Sequence, residues 1–204
     1  RFLLALAIAA AALSPAAGQH TTLSVEGGFL QRNGRPWVYR GAPQWESLLE
    51  DSEEANVARP RYLKNALHQL QANAITMTVY GGDRPVSILE ESPERLAVWR
   101  ATWEEINAAG AVPVLYLGEQ EHNGRISDKE RENIVDATLD LLGDLDAILV
   151  LAEEYGAGPK TARRMAERIR ARTDRLVFLH NPIGPGLARF ERTLAATRGL
   201  VDGV

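Results

Sequence analysis

The segment AILVLAEEYGAGPKTARRMAERIRARTDRLVFLH, residues 147–180, indicates the fold class because it contains two apolar runs separated by a helix-forming stretch. The first run, AILVL, is followed at once by two adjacent glutamates. The second run, LVFL, ends at His180. Short runs that are apolar on both faces are typical of strands in a parallel sheet, where helices cover the outside. The segment therefore predicts one strand–helix–strand unit of a parallel sheet.

The same alternation of strands and helices extends over most of the chain. Apolar periodicity and cap signals predict helices over 58–74, 93–111, 127–145, 158–173 and 190–198. Ser127 is the predicted N-cap of the third helix, and Glu130 is placed to complete a capping box. Apolar runs predict strands over 75–82, 112–118, 147–154 and 175–182, and a last strand in GLVDGV at 199–204. One strand and one helix in every 30 to 40 residues, roughly, match the βαβ repeat.

The beginning of the chain carries different signals. Residues 1–18 begin with a basic residue, continue with an apolar run and end in small residues, which predicts a secretory signal peptide cleaved after Gly18. The apolar run is too short to span a bilayer. We therefore expect a secreted or periplasmic protein whose mature domain, residues 19–204, has no membrane span. In that domain Asn33-Gly34 predicts a hairpin, and residues 37–41 are the predicted first buried strand.

Two architectures are compatible with this order of elements, an open doubly wound sheet and a (β/α)₈ barrel. No glycine-rich phosphate-binding motif follows the first predicted strand, where RGAPQWES at 40–47 carries an aromatic residue and a carboxylate instead. This absence favours the barrel. Because a whole barrel needs about 250 residues, we expect an incomplete (β/α)₈ TIM barrel. It would comprise about the first five to six units, preceded by a short β-hairpin, in a chain truncated at both ends.

Composition restricts the function classes. The hydrophobic fraction of 45% and the charged fraction of 25% are those of an ordinary globular protein. The formal net charge of -4 argues against nucleic acid as the main partner, because no excess of basic residues is present to neutralise phosphates. The absence of cysteine excludes disulfides, thiolate metal sites and cysteine nucleophiles. No cofactor is expected, and the oligomeric state is left open.

Candidate functional residues follow the predicted strands, because the carboxyl ends of parallel strands carry the site in both architectures. Carboxylates, amides, imidazoles and aromatic rings dominate these positions, and cations are few. This mixture is typical of a site for a polar, uncharged ligand such as a sugar, whose hydroxyls bind carboxylates and amides while aromatic rings pack on its apolar face. The predicted substrate-binding residues are Trp45, Tyr80, Glu119, Glu121, Glu153, Tyr155, His180 and Asn181.

The two adjacent glutamates are distinguished by the alternation of side chains along a strand. One face is shared by Ile148, Val150, Ala152 and Glu154. Because barrel interiors favour branched residues, this face is predicted to point inward, with Glu154 at the mouth and Glu153 towards the helices or the rim. The same rule places Val112 and Val114 inside. A carboxyl group in a crowded acidic mouth has a raised pKa, as a general acid for glycosidic cleavage requires.

Two motifs at the strand ends carry a family resemblance. EQEHN at 119–123 and LAEEYG at 151–156 are similar to the E-T-E-N-D and W-N-L-G-E-E-N motifs of one branch of the cellulase-like (β/α)₈ glycoside hydrolases. FLHNP at 178–182 and the hairpin segment at 27–42 also resemble that branch. The resemblance implies a retaining mechanism with Glu154 as the acid/base, and it places the nucleophilic glutamate on a seventh strand. Glu153 stands where the family usually has an asparagine that binds the sugar 2-hydroxyl.

Two further functions are compatible with the same residues. A barrel with an altered catalytic pair could bind a glycan without cleaving it, through Trp45, Tyr80 and His180. Alternatively, an oxygen-rich cation site would make the protein a metal-dependent hydrolase or isomerase. Its ligands would be Glu119, Glu121, Glu154 and His180. The low number of histidines, four, and the absence of H-x-H or H-E-x-x-H spacing argue against the metal hypothesis.

Overall fold

A computed structural model describes residues 22–43, 48–81, 86–118, 126–151, 158–180 and 187–204. The predicted signal peptide lies outside these residues. The described chain begins with three antiparallel strands, β1 (Leu23–Glu26), β2 (Phe29–Arg32) and β3 (Arg35–Pro36). Between β2 and β3, Asn33 and Gly34 have φ angles of 53° and 69°. Positive φ at both central residues is what a tight hairpin turn requires, and the predicted hairpin is confirmed.

Seven more strands follow in the described residues. They are β4 (Gly41–Pro43), β5 (Ala74–Thr78), β6 (Tyr80–Gly81), β7 (Val86–Ser87), β8 (Val112–Tyr116), β9 (Ile148–Val150) and β10 (Val177–Phe178). A small antiparallel pair is formed by β6 and β7. The other five strands form one parallel sheet in the order β4–β5–β8–β9–β10, so each strand lies beside the next one of the set along the chain. This order is that of a barrel wall.

The helices lie between the parallel strands in sequence. They are α1 (Glu53–Leu63), which continues as a π-helical segment (Lys64–Gln69), α2 (Pro93–Ala108), α3 (Asp128–Leu142), α4 (Pro159–Arg170) and α5 (Leu187–Ala196). The predicted capping box is present: the Ser127 hydroxyl accepts from the Glu130 amide, and the Glu130 carboxylate accepts from the Ser127 amide. Such caps satisfy amides that the first turn of a helix leaves unbonded.

Opposite faces of the sheet pack against different partners. Leu115, Leu149 and Val177 belong to the larger core, which contains residues of the helices. The neighbouring residues Val114 and Ile148 belong to a second cluster, which is covered in part by residues of the N-terminal hairpin. The alternation along each strand therefore separates a helix side from an inner side, as predicted from sequence. The inner cluster also contains Ala74, Val112, Val150 and Leu176.

The first strand of the sheet differs from its prediction. The strand begins at Gly41, and Val38, predicted to be part of it, is 70% exposed. The physical reason is the buried Asn73 side chain, whose Oδ1 accepts from the Arg40 amide and whose Nδ2 donates to the Val38 carbonyl, both at 2.7 Å. These backbone groups are bonded to a side chain and not to a neighbouring strand, so the predicted buried strand at 37–41 is wrong.

A sixth strand position lies beside β10, at the edge of the sheet opposite β4. Gly203 forms a parallel bridge with Phe178, and its carbonyl accepts from the Leu179 amide at 3.1 Å. The Asp202 amide donates to the Val177 carbonyl at 2.8 Å. The described residues thus form an open arc of five β/α units and a sixth strand position. This is the predicted α/β class, an incomplete (β/α)₈ barrel preceded by a hairpin.

Ion pairs join α3 to α4 along the outside of the arc. The acidic residues of α3 recur every fourth residue and face arginines that recur with the same spacing from α4 into the turn after it. The Asp136 carboxylate accepts from Arg168 Nε at 2.7 Å and from Arg172 Nη1 at 3.2 Å. The members are Asp128, Glu132, Asp136, Asp140, Arg164, Arg168 and Arg172.

Within the described residues, no helix combines the length and apolar character needed to cross a bilayer.

Candidate functional site

A cavity of about 280 Å³ runs along the inner side of the arc. Apolar side chains from three neighbouring strands form its wall, and aromatic and imidazole rings approach it from the chain that leads into β4 and from the carboxyl ends of β8 and β10. The lining residues are Leu30, Tyr39, Val114, Tyr116, Ile148, Val150, Phe178, Leu179, His180 and Val204. An apolar concave surface with a few polar groups at the strand ends is the usual form of a small-molecule site.

His180 is one of two predicted site residues whose surroundings the structure describes. It lies two residues beyond the end of β10, on the inner face shared by Leu176 and Phe178. Its imidazole makes an edge contact with the ring of Tyr116, with 5.6 Å between ring centroids and an interplanar angle of 69°. The structure therefore brings His180 to the cavity, while its role in binding a sugar stays a prediction.

Tyr39 enters the cavity from the chain that leads into β4, and sequence reasoning did not select it. Its ring lies over Gly41, where an added Cβ would be 2.3 Å from the tyrosine hydroxyl oxygen. That hydroxyl is 3.3 Å from Thr76 Oγ1 on β5. The ring also makes an edge contact with Trp37, at 6.2 Å between centroids. The spacing Tyr-x-Gly was the available signal, since residues two apart in an extended chain share a face.

Tyr80, the other described site residue, lies in a different place. Its ring packs against the larger core on the helix side of the sheet, whereas His180 lines the inner cavity. Burial raises the pKa of its hydroxyl, and the nearby carboxylates of Glu130 and Glu90 raise it further. The structure thus does not bring Tyr80 to the cavity that contains His180. Its role in sugar binding stays a prediction, and its position on the helix side of the sheet does not support that prediction.

The remaining predicted site residues lie outside the described residues. They are Trp45, Glu119, Glu121, Glu153, Glu154, Tyr155 and Asn181. Each comes shortly after one of the parallel strands in the sequence, and these strands are described as far as Pro43, Tyr116, Val150 and Phe178. Because the strands are parallel, those carboxyl ends meet at one edge of the sheet. The described part of the chain holds no group of three or more histidine or acidic side chains arranged to bind a metal.

Two arginines hold the backbone of residues 48–50, and sequence reasoning missed both. Arg59 donates to the carbonyls of Leu48 and Glu50, at 2.5 and 3.1 Å. Arg95 and the Trp99 indole both donate to the carbonyl of Leu49, at 2.5 and 3.0 Å. Desolvation lowers the pKa of Arg59, and the neighbouring Arg95 lowers it further. Residues 48–50 are not part of the sheet, and side chains therefore bind their backbone carbonyls in place of a neighbouring strand.

Comparison with known proteins supports the fold from structure alone. No model of a known protein family matches the sequence, and no curated protein matches it. The structure resembles a glycoside hydrolase family 5 protein from Bacteroides vulgatus, with a TM-score of 0.62 and 13% identity. It also resembles a family 5 mannosidase from Rhizomucor miehei (TM-score 0.66, 8% identity) and the catalytic domain of a Thermobifida fusca endoglucanase in complex with cellotetraose (0.58, 13%).

The similarity covers most of this chain and part of each neighbour. It extends over 78%, 86% and 87% of this chain and over 39%, 59% and 57% of the three neighbours, in the same order. The chain thus spans about two fifths to three fifths of their lengths. At these identities the similarity shows the fold: the chain has the barrel fold of the cellulase-like glycoside hydrolases. This is the fold that the strand-end motifs implied.

Proposed function

We propose that this chain belongs to a secreted protein of the glycoside hydrolase type, which cleaves a poly- or oligosaccharide with retention of configuration. One observation supports the proposal most strongly. Val114, Ile148 and Val150 face the inner side of the arc, beside a cavity that His180 and Tyr116 also line. If the alternation along β9 continues, the next inner positions after Val150 are 152 and 154, which is the side where a catalytic glutamate is required.

In the proposed mechanism, Glu154 acts first as the general acid. Its protonated carboxyl group donates a proton to the glycosidic oxygen as the bond to the anomeric carbon breaks, and a second carboxylate attacks that carbon. Glu154, now ionised, then accepts a proton from the water that hydrolyses the glycosyl–enzyme intermediate. The family resemblance assigns the second carboxylate to a seventh strand, whereas the described residues form five β/α units and a sixth strand position.

The described cavity has the chemistry that such a substrate needs. Its wall is made of apolar side chains of β8 and β9, against which the C–H face of a sugar ring can pack. The His180 imidazole supplies a hydrogen-bonding group for a sugar hydroxyl. A carboxyl group in a crowded acidic mouth would have a raised pKa, which keeps a general acid protonated near neutral pH.

The neighbours support the substrate class only in general terms. A mannosidase and an endoglucanase bound to cellotetraose both act on carbohydrates, and both have this fold. We therefore propose a carbohydrate substrate and leave the sugar and the linkage open.

Secretion is proposed from residues 1–18, and N-terminal sequencing of the exported protein tests it: a first residue at Gln19 is expected.

Hydrolysis of oligosaccharides and alkyl glycosides, whose leaving groups need a proton to depart, tests the catalytic proposal in the protein that contains this chain. We expect Glu154→Gln to lower kcat/KM by about 10²–10⁴-fold, as the loss of a general acid does. Glu167→Gln on the outside of α4 is the matched control, since it also removes one carboxylate but lies far along the helix from the strand ends. Equal activity of Glu154→Gln and the native protein would remove Glu154 from the mechanism. Binding of oligosaccharides without turnover by the native protein would favour the non-catalytic binding function.

A further inference from the structure

We infer that Tyr116 is a positioning residue for His180, and that the two rings together form one wall of the sugar-binding pocket. The inference rests on the proposed function for the identity of the ligand. The pairing itself is a feature of the described structure: the two ring centroids are 5.6 Å apart. Tyr116 was not among the residues selected from the sequence, because it is the last residue of β8 and lies before the predicted strand end.

The contact is made across an intervening strand. Tyr116 is on β8 and His180 follows β10, with β9 between them in the sheet. Neighbouring strands are about 4.8 Å apart, so the two backbones are separated by twice that spacing and the rings must lean towards each other. On the intervening strand, Val150 pairs with Tyr116 on one side and on the other with Phe178, two residues before His180. Its short side chain leaves room for the rings to meet above it.

The two partners differ in how firmly the sheet holds them. Tyr116 is on a central strand and is paired on both sides, with Thr78 of β5 and Val150 of β9. His180 lies beyond the last residue of β10, where regular strand pairing has ended. An edge-to-face contact at 69° fixes the plane of the imidazole against a ring that the sheet has already fixed. Tyr116 therefore sets the direction in which the His180 nitrogens point.

This arrangement assigns a specific role to Val150 as well. A longer side chain at that position would stand between the two rings and separate them, although the wall of the cavity would remain apolar. The sugar-facing surface thus depends on one residue from each of three consecutive β/α units, Tyr116, Val150 and His180. All three line the same cavity.

The test combines spectroscopy without a ligand and binding with one. The imidazole signals of the four histidines are recorded by NMR, with His180→Gln used for assignment. In the native protein we expect the His180 signal to be displaced by the Tyr116 ring current. Tyr116→Phe should keep this displacement, and Tyr116→Leu should remove it. Affinity for oligosaccharides from a panel of mannose and glucose oligomers should fall about two- to tenfold in Tyr116→Leu.

A merely structural role for Tyr116 predicts a different pattern. In that case Tyr116→Leu would lower the unfolding temperature while the affinity of the folded protein stayed native, which would overturn the inference. Val150→Leu provides a second route if Tyr116→Leu fails to fold, because it separates the rings while Tyr116 is kept, and the same loss of displacement and affinity is expected. If the His180 signal shows the displacement but the native protein binds no oligosaccharide, the pairing holds, while the proposed function fails and the sugar-wall role fails with it.

Discussion

Asp136 on α3 accepts a hydrogen bond from Arg168 on α4 at 2.7 Å, and this contact lies at the centre of the row of ion pairs between the two helices. Arg172 also donates to the same carboxylate. The residues on either side along the row, Glu132 and Asp140, each bind one of the same arginines. The row therefore holds the helix after β8 against the helix after β9, and Asp136 accepts hydrogen bonds from two arginines within it.

Asp136→Asn should destabilise the protein by about 0.5–1 kcal/mol at neutral pH, the upper part of the range for partly exposed ion pairs. The substitution removes the charge that Arg168 and Arg172 share but keeps the shape of the side chain. Urea unfolding measures the change. Asp140→Asn is the matched control: Asp140 is mostly exposed and, among the described residues, pairs with Arg172 alone, so a smaller effect is expected. An equal loss in both variants would show that the central position has no special weight.

The same carboxylate gives the stability a defined pH dependence. Hydrogen bonds from Arg168 lower the pKa of Asp136 in the folded state below its unfolded value, which is about 3.9. A group whose pKa is depressed by folding contributes stability above the unfolded pKa and loses it as the pH falls through the folded pKa. The difference in unfolding free energy between the native protein and Asp136→Asn should therefore be constant near neutral pH and shrink below about pH 4. A difference independent of pH would contradict this.

Gly41→Ala should destabilise the protein by about 1 kcal/mol, the lower end of the range for inserted methyl groups, because the new methyl group would overlap the half-exposed ring of Tyr39. The effect should depend on that ring. In the double variant Tyr39→Ala, Gly41→Ala the clash is absent, so adding the methyl group should cost much less than it does in the presence of Tyr39. A double-mutant cycle measured by thermal or urea unfolding gives this coupling. A coupling near zero would mean that Tyr39 moves away freely.

Asn73→Ala should cost about 1–3 kcal/mol, because it leaves the Val38 carbonyl and the Arg40 amide without their side-chain partner. Asn73→Asp is the informative companion. A carboxylate can still accept from the Arg40 amide but cannot donate to the Val38 carbonyl. Asn73→Asp therefore keeps one of the two hydrogen bonds and buries a charge, and we expect it to lower the free energy of unfolding as well. Native stability in Asn73→Ala would show that water replaces both bonds.

The parts of the fold that follow local rules were predictable from the sequence. The Asn33-Gly34 turn and the Ser127 cap depend on side chains a few residues apart, and the inner position of Val114 follows from alternation along one strand. The irregular chain at Val38 was not predictable, because it depends on Asn73, which is 35 residues away in the sequence. A buried amide that replaces a strand partner leaves no periodic signal.

The candidate site shows the same division. His180 was found because it ends an apolar run, whereas Tyr116 lies inside one and was not selected. Tyr80 was selected because it follows β5 in the sequence. In the structure β6 begins at Tyr80, and its ring packs against the helix-side core. Sequence order thus identifies which strand ends are near the mouth. It does not determine which side of the sheet each side chain takes after the strand has ended.

The role of Glu154 as general acid is tested most directly by the effect of the leaving group on hydrolysis by Glu154→Gln. Two glycosides of the same sugar are compared in the protein that contains this chain, one with an alkyl and one with a dinitrophenyl leaving group. An alkoxide needs a proton to depart and a dinitrophenolate does not. We therefore predict a loss of about 10²–10⁴-fold for the alkyl glycoside and a far smaller loss of the bond-cleavage rate for the dinitrophenyl glycoside. Equal losses for the two substrates, or no loss for either, would contradict the assignment.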